Sequence, residues 1–263
     1  MAATNNRIIP KEIRAVFFDL YGTLLDYGNM SQAWTDWFLS VYNSFQKYGL
    51  SKTKVEFAKI CDGFFERPEP PIEKDELTVF ERRIKRLARE VNLDLYISDI
   101  KKTVESAIEA WHQYITLDPD AYPILKKLKT NKILGLITNF DHPPHIYSYL
   151  AETELTDLFD VIVVSGEIGY KKPDKRIFQQ ALNQAELRPA QAAYIGDTAD
   201  DIRGAKRAGL IPILIRRNDI NNYNVAADFK SDNSSSITYE KGLSKSKNVT
   251  TIRRLPELLD IKL

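Results

Sequence analysis

The sequence predicts an α/β fold: a doubly wound, mainly parallel sheet that carries an inserted helical bundle. Three observations lead there. Ala15–Phe18 is an uninterrupted apolar run that stops at Asp19, as a strand buried on both faces would. Beyond Asp118-Pro119-Asp120, apolar runs of strand length alternate with helical patterns, which is the signature of a parallel sheet with helices on both faces. Between these regions four amphipathic stripes follow one another with no strand between them, as in a small bundle. The expected division is an α/β core over 1–27 and 117–263, with helices over 28–116.

Taken in order, residues 1–14 are polar and read as a loose lead-in. Asp26-Tyr27-Gly28-Asn29 breaks the first strand's pattern. The first helical stripe is Trp34, Trp37, Phe38, Val41, Tyr42 and Phe45; the second is Phe57, Cys61, Phe64 and Phe65. After Arg67-Pro68-Glu69-Pro70-Pro71, a third runs from Leu77 through Phe80, Ile84 and Leu87 to Val91. A fourth runs from Ile100 through Val104, Ile108 and Trp111 to Ile115. Helix is then expected over Tyr122–Lys129. Strands follow at Ile133–Ile137, ending in Thr138-Asn139, and at Val161–Val164, ending in Ser165-Gly166-Glu167. Pro173-Asp174 opens a helix through Leu182. The strand Ala192–Ile195 ends in Gly196-Asp197; helix over Asp201–Ala208 and a strand over Ile211–Ile215 come next. Residues 218–247, rich in Asn, Ser, Asp and Lys, read as a long loop. Val249–Ile252 is expected as an edge strand and Pro256–Leu259 as a short helix.

Composition narrows the function. An apolar fraction of 43% supports a sizeable core, and a net charge of +1 argues against a generic nucleic-acid or polybasic membrane surface. Cys61 is the only cysteine, so no intramolecular disulfide forms; its apolar helical setting marks it as buried filler rather than a nucleophile. No run reaches transmembrane length and no signal-peptide core opens the chain, so a cytoplasmic protein is expected. The glycosylation triplets at Asn29, Asn233 and Asn248 are read as chance. His112, His142 and His145 lack metal-ligand spacing, and the latter two are expected on a surface loop.

Chemistry is expected where strands end in polar groups. In a parallel sheet, Asp19, Thr138 with Asn139, and Asp197 share the edge at which open α/β sheets bind ligands. Lys172, ahead of a helix start, adds a cation, and Thr23 a hydroxyl beside the first acid. A substrate contact near Arg67 would come from the helical stretch.

These residues resemble the motifs of the haloacid dehalogenase superfamily of hydrolases. Asp19-Leu20-Tyr21-Gly22-Thr23 is similar to its first motif and Thr138-Asn139 to its second. Gly169-Tyr170-Lys171-Lys172-Pro173-Asp174 is similar to its third, and Gly196-Asp197-Thr198-Ala199-Asp200-Asp201 to its fourth. The motifs stand in the family's order over residues 15 to about 215, and 28–116 matches the place of its α-helical cap. The resemblance implies that Asp19 is a nucleophile forming a covalent ester or acyl phosphate. Thr138 would hydrogen-bond the transferring group. Lys172, preferred to Lys171 because it directly precedes the proline, would neutralise charge. Thr23 and Asn139 would contact substrate. Mg²⁺ would be held by Asp19, the Tyr21 carbonyl, Asp197 and Asp201, with Asp200 as the alternative to Asp201. One departure stands out: the family's phosphatases carry an acid–base aspartate two residues after the nucleophile, where this chain has Tyr21. Its 2-haloacid dehalogenases have tyrosine there, but lack the Gly-Asp of the fourth motif and use an early cap arginine that residues 29–50 do not contain. The implied function is a Mg²⁺-dependent phosphatase acting on a small phosphorylated molecule through an aspartyl-phosphate. A 2-haloacid dehalogenase and a catalytically weak binding member are the alternatives. No nucleic-acid or membrane partner is expected.

Overall fold

The structure is a computed structural model that describes residues 12–72, 76–217 and 249–261. Most of the expected lead-in and the polar stretch 218–247, with Asn233 and Asn248, lie outside the described residues. The six-stranded sheet is parallel throughout and runs in the order β5 (Val161–Val164), β4 (Ile133–Thr138), β1 (Ala15–Phe18), β6 (Ala192–Gly196), β7 (Ile211–Ile215) and β8 (Thr250–Ile252). β1, apolar throughout, thus lies between β4 and β6 and is buried along its whole length. Its register pairs Phe18 with Leu136 and with Ile195. Asp19, Thr138 and Asp197 therefore emerge along one edge.

Among the described residues, the connections from β4 through β7 are helical. α5 (Ala121–Lys129) precedes β4, α6 (Pro143–Glu152) links β4 to β5, and α7 (Ser165–Ile168) with α8 (Lys175–Gln184) leads to β6. α9 (Ala199–Ala208) joins β6 to β7. Asp174 caps α8 through the Arg176 amide, and Thr198 caps α9 in a reciprocal capping box with Asp201. One face of the sheet is covered by α8 and α9, whose Ile177, Phe178 and Ala205 pack on Phe17 and Tyr194. The other face joins the helical insertion through Phe18, Leu136 and Ile195. Phe17 fills the space beside β4: a Cβ at Gly135 would run into its ring.

The insertion holds α1 (Met30–Lys47), α2 (Lys54–Cys61), α3 (Val79–Glu90) and α4 (Ile97–His112). Its base is a strand pair that the sequence reading missed: β2 (Leu25–Tyr27) runs antiparallel to β3 (Ile115–Leu117). Ile115, counted in the fourth helical stripe, belongs to this pair and faces Tyr27. Phe64 and Phe65 also fall outside a helix, because α2 ends at Cys61 and the chain turns through Gly63 at φ +64°. Both aromatics still pack in the core, where Phe64 meets Trp37 at 5.3 Å. Among the described residues no helix is long and apolar enough to cross a membrane.

Phe17 is fully buried between two strands and the α8–α9 layer. Phe17→Ala is expected to lower the unfolding free energy by about 3–5 kcal/mol. A loss of less than about 1 kcal/mol, read from the shift of the urea midpoint at unchanged slope, would show that this layer closes over the lost ring.

Candidate active site

The loop after β1 is wound tightly around one carbonyl. Leu20 accepts from the amides of Leu24 and Leu25, both at 2.9 Å, while the Asp19 amide donates to Ile195 at 2.9 Å. Gly22 makes the turn possible. It sits at φ +82°, and a Cβ there would collide with the Asp197 carboxylate, so only glycine lets the two loops approach this closely.

Lys172 reaches the same edge from the loop between α7 and α8. Its ammonium lies 2.6 Å from Asp19 Oδ1 and 2.8 Å from Asp201 Oδ1. It also donates to the Tyr194 hydroxyl at 3.1 Å. Tyr194 donates towards Asp201 Oδ1 at 2.9 Å, with the Ile137 carbonyl 3.2 Å away. The second oxygen of Asp201 accepts from the Thr198 amide at 3.0 Å and its hydroxyl at 2.5 Å. Both Asp201 oxygens are thus engaged by protein donors. Asp197 differs: its Oδ1 is buried with no hydrogen-bond partner among the described residues. Asp19, Asp197 and Asp201 each offer an oxygen, and these oxygens lie within 4.8 Å of one another.

Burial divides these acids. It pushes Asp19 up to about 7, against the pull of Lys172. Asp197 is driven well above the carboxylate range by burial and by the neighbouring Asp201 and Asp19 charges. For Asp201, burial is outweighed by Lys172 and the Thr198 hydrogen bonds, and its carboxyl is held below the usual value. Burial would weaken the Lys172 charge, but Asp19 and Asp201 reverse that and hold it as a cation. Three carboxylates facing one ammonium form a strongly anionic cluster that suits a hard divalent cation.

The remaining predicted residues fall into place around this cluster. Thr138 closes β4 with its hydroxyl buried and unpartnered among the described residues. Asn139 does not aim at the edge: its Oδ1 accepts the Lys172 amide at 2.8 Å and its Nδ2 donates to the Lys172 carbonyl at 3.1 Å. This clasp holds the lysine's backbone. Thr23 is fully buried in its turn, and its carbonyl accepts from Arg217. Asp200 stands outside the cluster, paired with Arg203 on α9. Lys171 points away from Asp19 and bridges Asp141 at 2.6 Å and Glu69 at 2.9 Å. Arg67 is engaged by Glu90 and backbone carbonyls.

Tyr21 turns its ring into the contact between core and insertion. It stacks on Phe140 at 5.4 Å and meets Trp111 at 5.3 Å. Its hydroxyl is buried without a partner among the described residues, and burial pushes the phenol well above its ordinary value.

His142 and His145 were expected on a surface loop, and the structure corrects this. His142 is buried and its Nδ1 meets the Thr78 hydroxyl at 2.9 Å; His145 meets His112 of α4 at 3.0 Å. All three hold the insertion to the core. So does Arg83 of α3, buried and bound to Asp141 at 2.7 Å. The sequence reading also missed Tyr194, which looked like one more apolar residue of a buried strand; nothing in the local pattern marks it. Cys61 is buried with its thiol pushed up to about 12, in keeping with a filler role.

Comparison with known proteins matches this geometry to a family. The sequence model of the haloacid dehalogenase-like hydrolases matches residues 13–209. A curated relative, the glyceraldehyde 3-phosphate phosphatase of Methanopyrus kandleri, is 35% identical over 122 residues. That stretch is 44% of this chain and spans about half, 52%, of the relative. A solved HAD phosphatase of Thermococcus onnurineus superposes with a TM-score of 0.60 at 24% identity, over 94% of this chain and 97% of that one. The 2-haloacid dehalogenase of Pseudomonas syringae pv. Tomato DC3000 gives the same TM-score and the same coverage at 19% identity. The fold therefore does not separate the two chemistries. With a family match that takes in every motif from Asp19 to Asp201, the chain belongs to the haloacid dehalogenase-like hydrolases.

Proposed function

We propose that the protein hydrolyses a phosphate monoester of a small metabolite, with Asp19 as the nucleophile. The observation that carries this reading is the buried, unpartnered Oδ1 of Asp197 in a cluster with Asp19 and Asp201 beside the Lys172 ammonium. A buried carboxylate oxygen with no partner among the described residues, beside two further acids, fits a hard cation. Mg²⁺ would be held by Asp19 and Asp197, with the Tyr21 carbonyl and Asp201 completing the set by resemblance, and would neutralise charge on a phosphoryl group. Asp201 comes to that set with both oxygens already accepting from Lys172, Tyr194 and Thr198. The division of roles follows core and cap: 1–27 and 117–263 supply the chemistry, and 28–116 covers it from the base formed by β2 and β3. The charge balance adds no nucleic-acid partner, and the single cysteine suits a cytoplasmic setting.

In this reading Asp19 attacks phosphorus and the ester oxygen leaves, giving an aspartyl-phosphate. Water then adds at phosphorus, the bond to Asp19 breaks, and carboxylate and inorganic phosphate are released. Lys172 holds Asp19 and balances charge; the Thr138 hydroxyl, without a partner among the described residues, offers a hydrogen bond to the phosphoryl group. The Tyr21 phenol, raised further by burial, is a poor base near neutrality. Its presence is what favours the dehalogenase as a second reading, since a halide departs without a proton. Against that reading, the arginines of α3 and the loop before it are engaged: Arg83 by Asp141, Arg67 by Glu90, and Arg82 by the Pro70 and Leu77 carbonyls.

Hydrolysis of an aryl phosphate should disappear on chelation and return with Mg²⁺, and Asp197→Asn should raise the Mg²⁺ needed for half-maximal rescue, with Asp19→Asn inactive throughout. Halide release from a 2-haloacid by the metal-free protein would instead establish the dehalogenase. Lys172→Ala is expected to lower turnover by about 10²–10³, the scale for one preorganised charge contact. Lys171→Ala, which leaves the Asp19 cluster intact, should do far less; equal, small effects in steady-state assays would show that the wrong lysine is assigned. Single-turnover cleavage should be slower for an alkyl than an aryl phosphate by a large part of the 10²–10⁴ ascribed to general acid help. Tyr21→Asp should narrow that gap by speeding the alkyl ester. Similar wild-type rates on both esters would mean that another group supplies the proton.

A further inference from the structure

We propose that Tyr194 is a positioning residue for this hydrolysis, and that its hydroxyl keeps the Lys172 ammonium in place after Asp19 has become covalently occupied. The inference rests on the phosphatase reading above.

Tyr194 lies in the middle of β6, fully buried, with its ring set edge-on to Phe178 at 4.9 Å and 81°. Phenylalanine would satisfy that packing. A hydroxyl in such a place needs partners, and this one reaches Lys172 Nζ at 3.1 Å, Asp201 Oδ1 at 2.9 Å and the Ile137 carbonyl at 3.2 Å. From the side of Lys172 the arrangement is a tripod. An ammonium has three protons. Its three acceptors are Asp19 Oδ1 at 2.6 Å, Asp201 Oδ1 at 2.8 Å and the Tyr194 hydroxyl. They come from three separate elements: the end of β1, the first turn of α9 and the middle of β6.

The three legs do not persist equally through the reaction. In the free enzyme Asp19 is a carboxylate and carries one leg. Once its oxygen bonds to phosphorus, the carboxylate becomes an acyl phosphate and loses its own negative charge. Lys172 then keeps one charged partner, Asp201, and the Tyr194 hydroxyl, while Asp19 offers it no more than a neutral carbonyl oxygen, at the moment when its charge must stay beside the phosphoryl group. Water adds at phosphorus, the phosphorus–Asp19 bond breaks, the Asp19 carboxylate re-forms and phosphate leaves as dihydrogen phosphate, carrying the water's oxygen and both of its protons. Tyr194 should therefore matter more for release of the phosphoryl group than for its capture.

The test is Tyr194→Phe, which removes one oxygen and keeps the ring. With p-nitrophenyl phosphate and Mg²⁺, kcat should fall about 10- to 100-fold, the size of one hydrogen bond to a charged group. KM should fall with it, so that kcat/KM stays within a few-fold of wild type, and a burst of nitrophenol should precede the slow phase. The burst is counted against folded protein measured by circular dichroism, so partial misfolding does not mimic the effect. In a Lys172→Ala background the same substitution should have little further effect, because the hydroxyl acts through the ammonium. An unchanged kcat overturns the proposal. So does a fall in kcat/KM equal to the fall in kcat, or an undiminished effect in the Lys172→Ala background. Absence of any turnover by the wild-type protein would overturn the phosphatase reading itself, and this role with it.

Discussion

A buried ammonium shared between two carboxylates is the interaction on which the rest of this molecule depends. Lys172, Asp19 and Asp201 are each almost wholly withdrawn from water. Removing one partner of such a group leaves an uncompensated buried charge, which typically costs about 3–5 kcal/mol. The fold supplies the compensation from several directions. Asn139 clasps the lysine's backbone, Thr198 satisfies the far oxygen of Asp201, and Tyr194 stands beneath all three. The same arrangement explains why glycine stands at position 22: the loop bearing Asp19 must come within reach of Asp197.

The cluster is polarised. Lys172 holds Asp201 ionised, while burial and mutual repulsion raise Asp19 and Asp197. One acid is therefore a structural anchor, and in the proposed reaction the other two would carry the reactivity. Tyr21 sits apart from this logic. Where a carboxylate would face the departing group, the chain places a ring that packs between core and insertion, against Phe140 and Trp111. In the proposed reaction the exchange would trade proton transfer for an apolar contact, which makes the choice of leaving group the central question.

The insertion is held down by groups that sit beside the reactive edge. Asp141, two residues after Asn139, accepts Arg83 from α3 and Lys171 from the loop that carries Lys172, and its carbonyl accepts the Phe80 amide at 3.0 Å. His142 and His145 add contacts to Thr78 and His112. Arg217, at the other end, ties the base strands through Asp26 at 3.1 Å and through Asp118. Polar pairs, rather than apolar burial alone, register the insertion on the core.

Local regularities in the chain determined the strands, most helices and the reactive edge. Uninterrupted apolar runs such as Ala15–Phe18 can only be strands buried on both faces, and parallel strands necessarily present their ends together. Helix starts at Thr53, Thr78 and Thr198 follow from capping boxes readable within four residues. Asp19 and Asp197 were legible because each directly follows a buried strand, and Lys172 and Asp201 because they stand at or just ahead of a helix start. The base pair of β2 and β3 was not, since three residues carry no period and their pairing is set by contacts nearly ninety positions apart. Tyr194, the clasp of Asn139 and the meeting of His112 with His145 were hidden for the same reason. A side chain's partner across the sheet leaves no trace in its own neighbours along the chain. Only the tertiary structure, by bringing distant donors and acceptors within 3 Å or so of one another, decided what those polar atoms do.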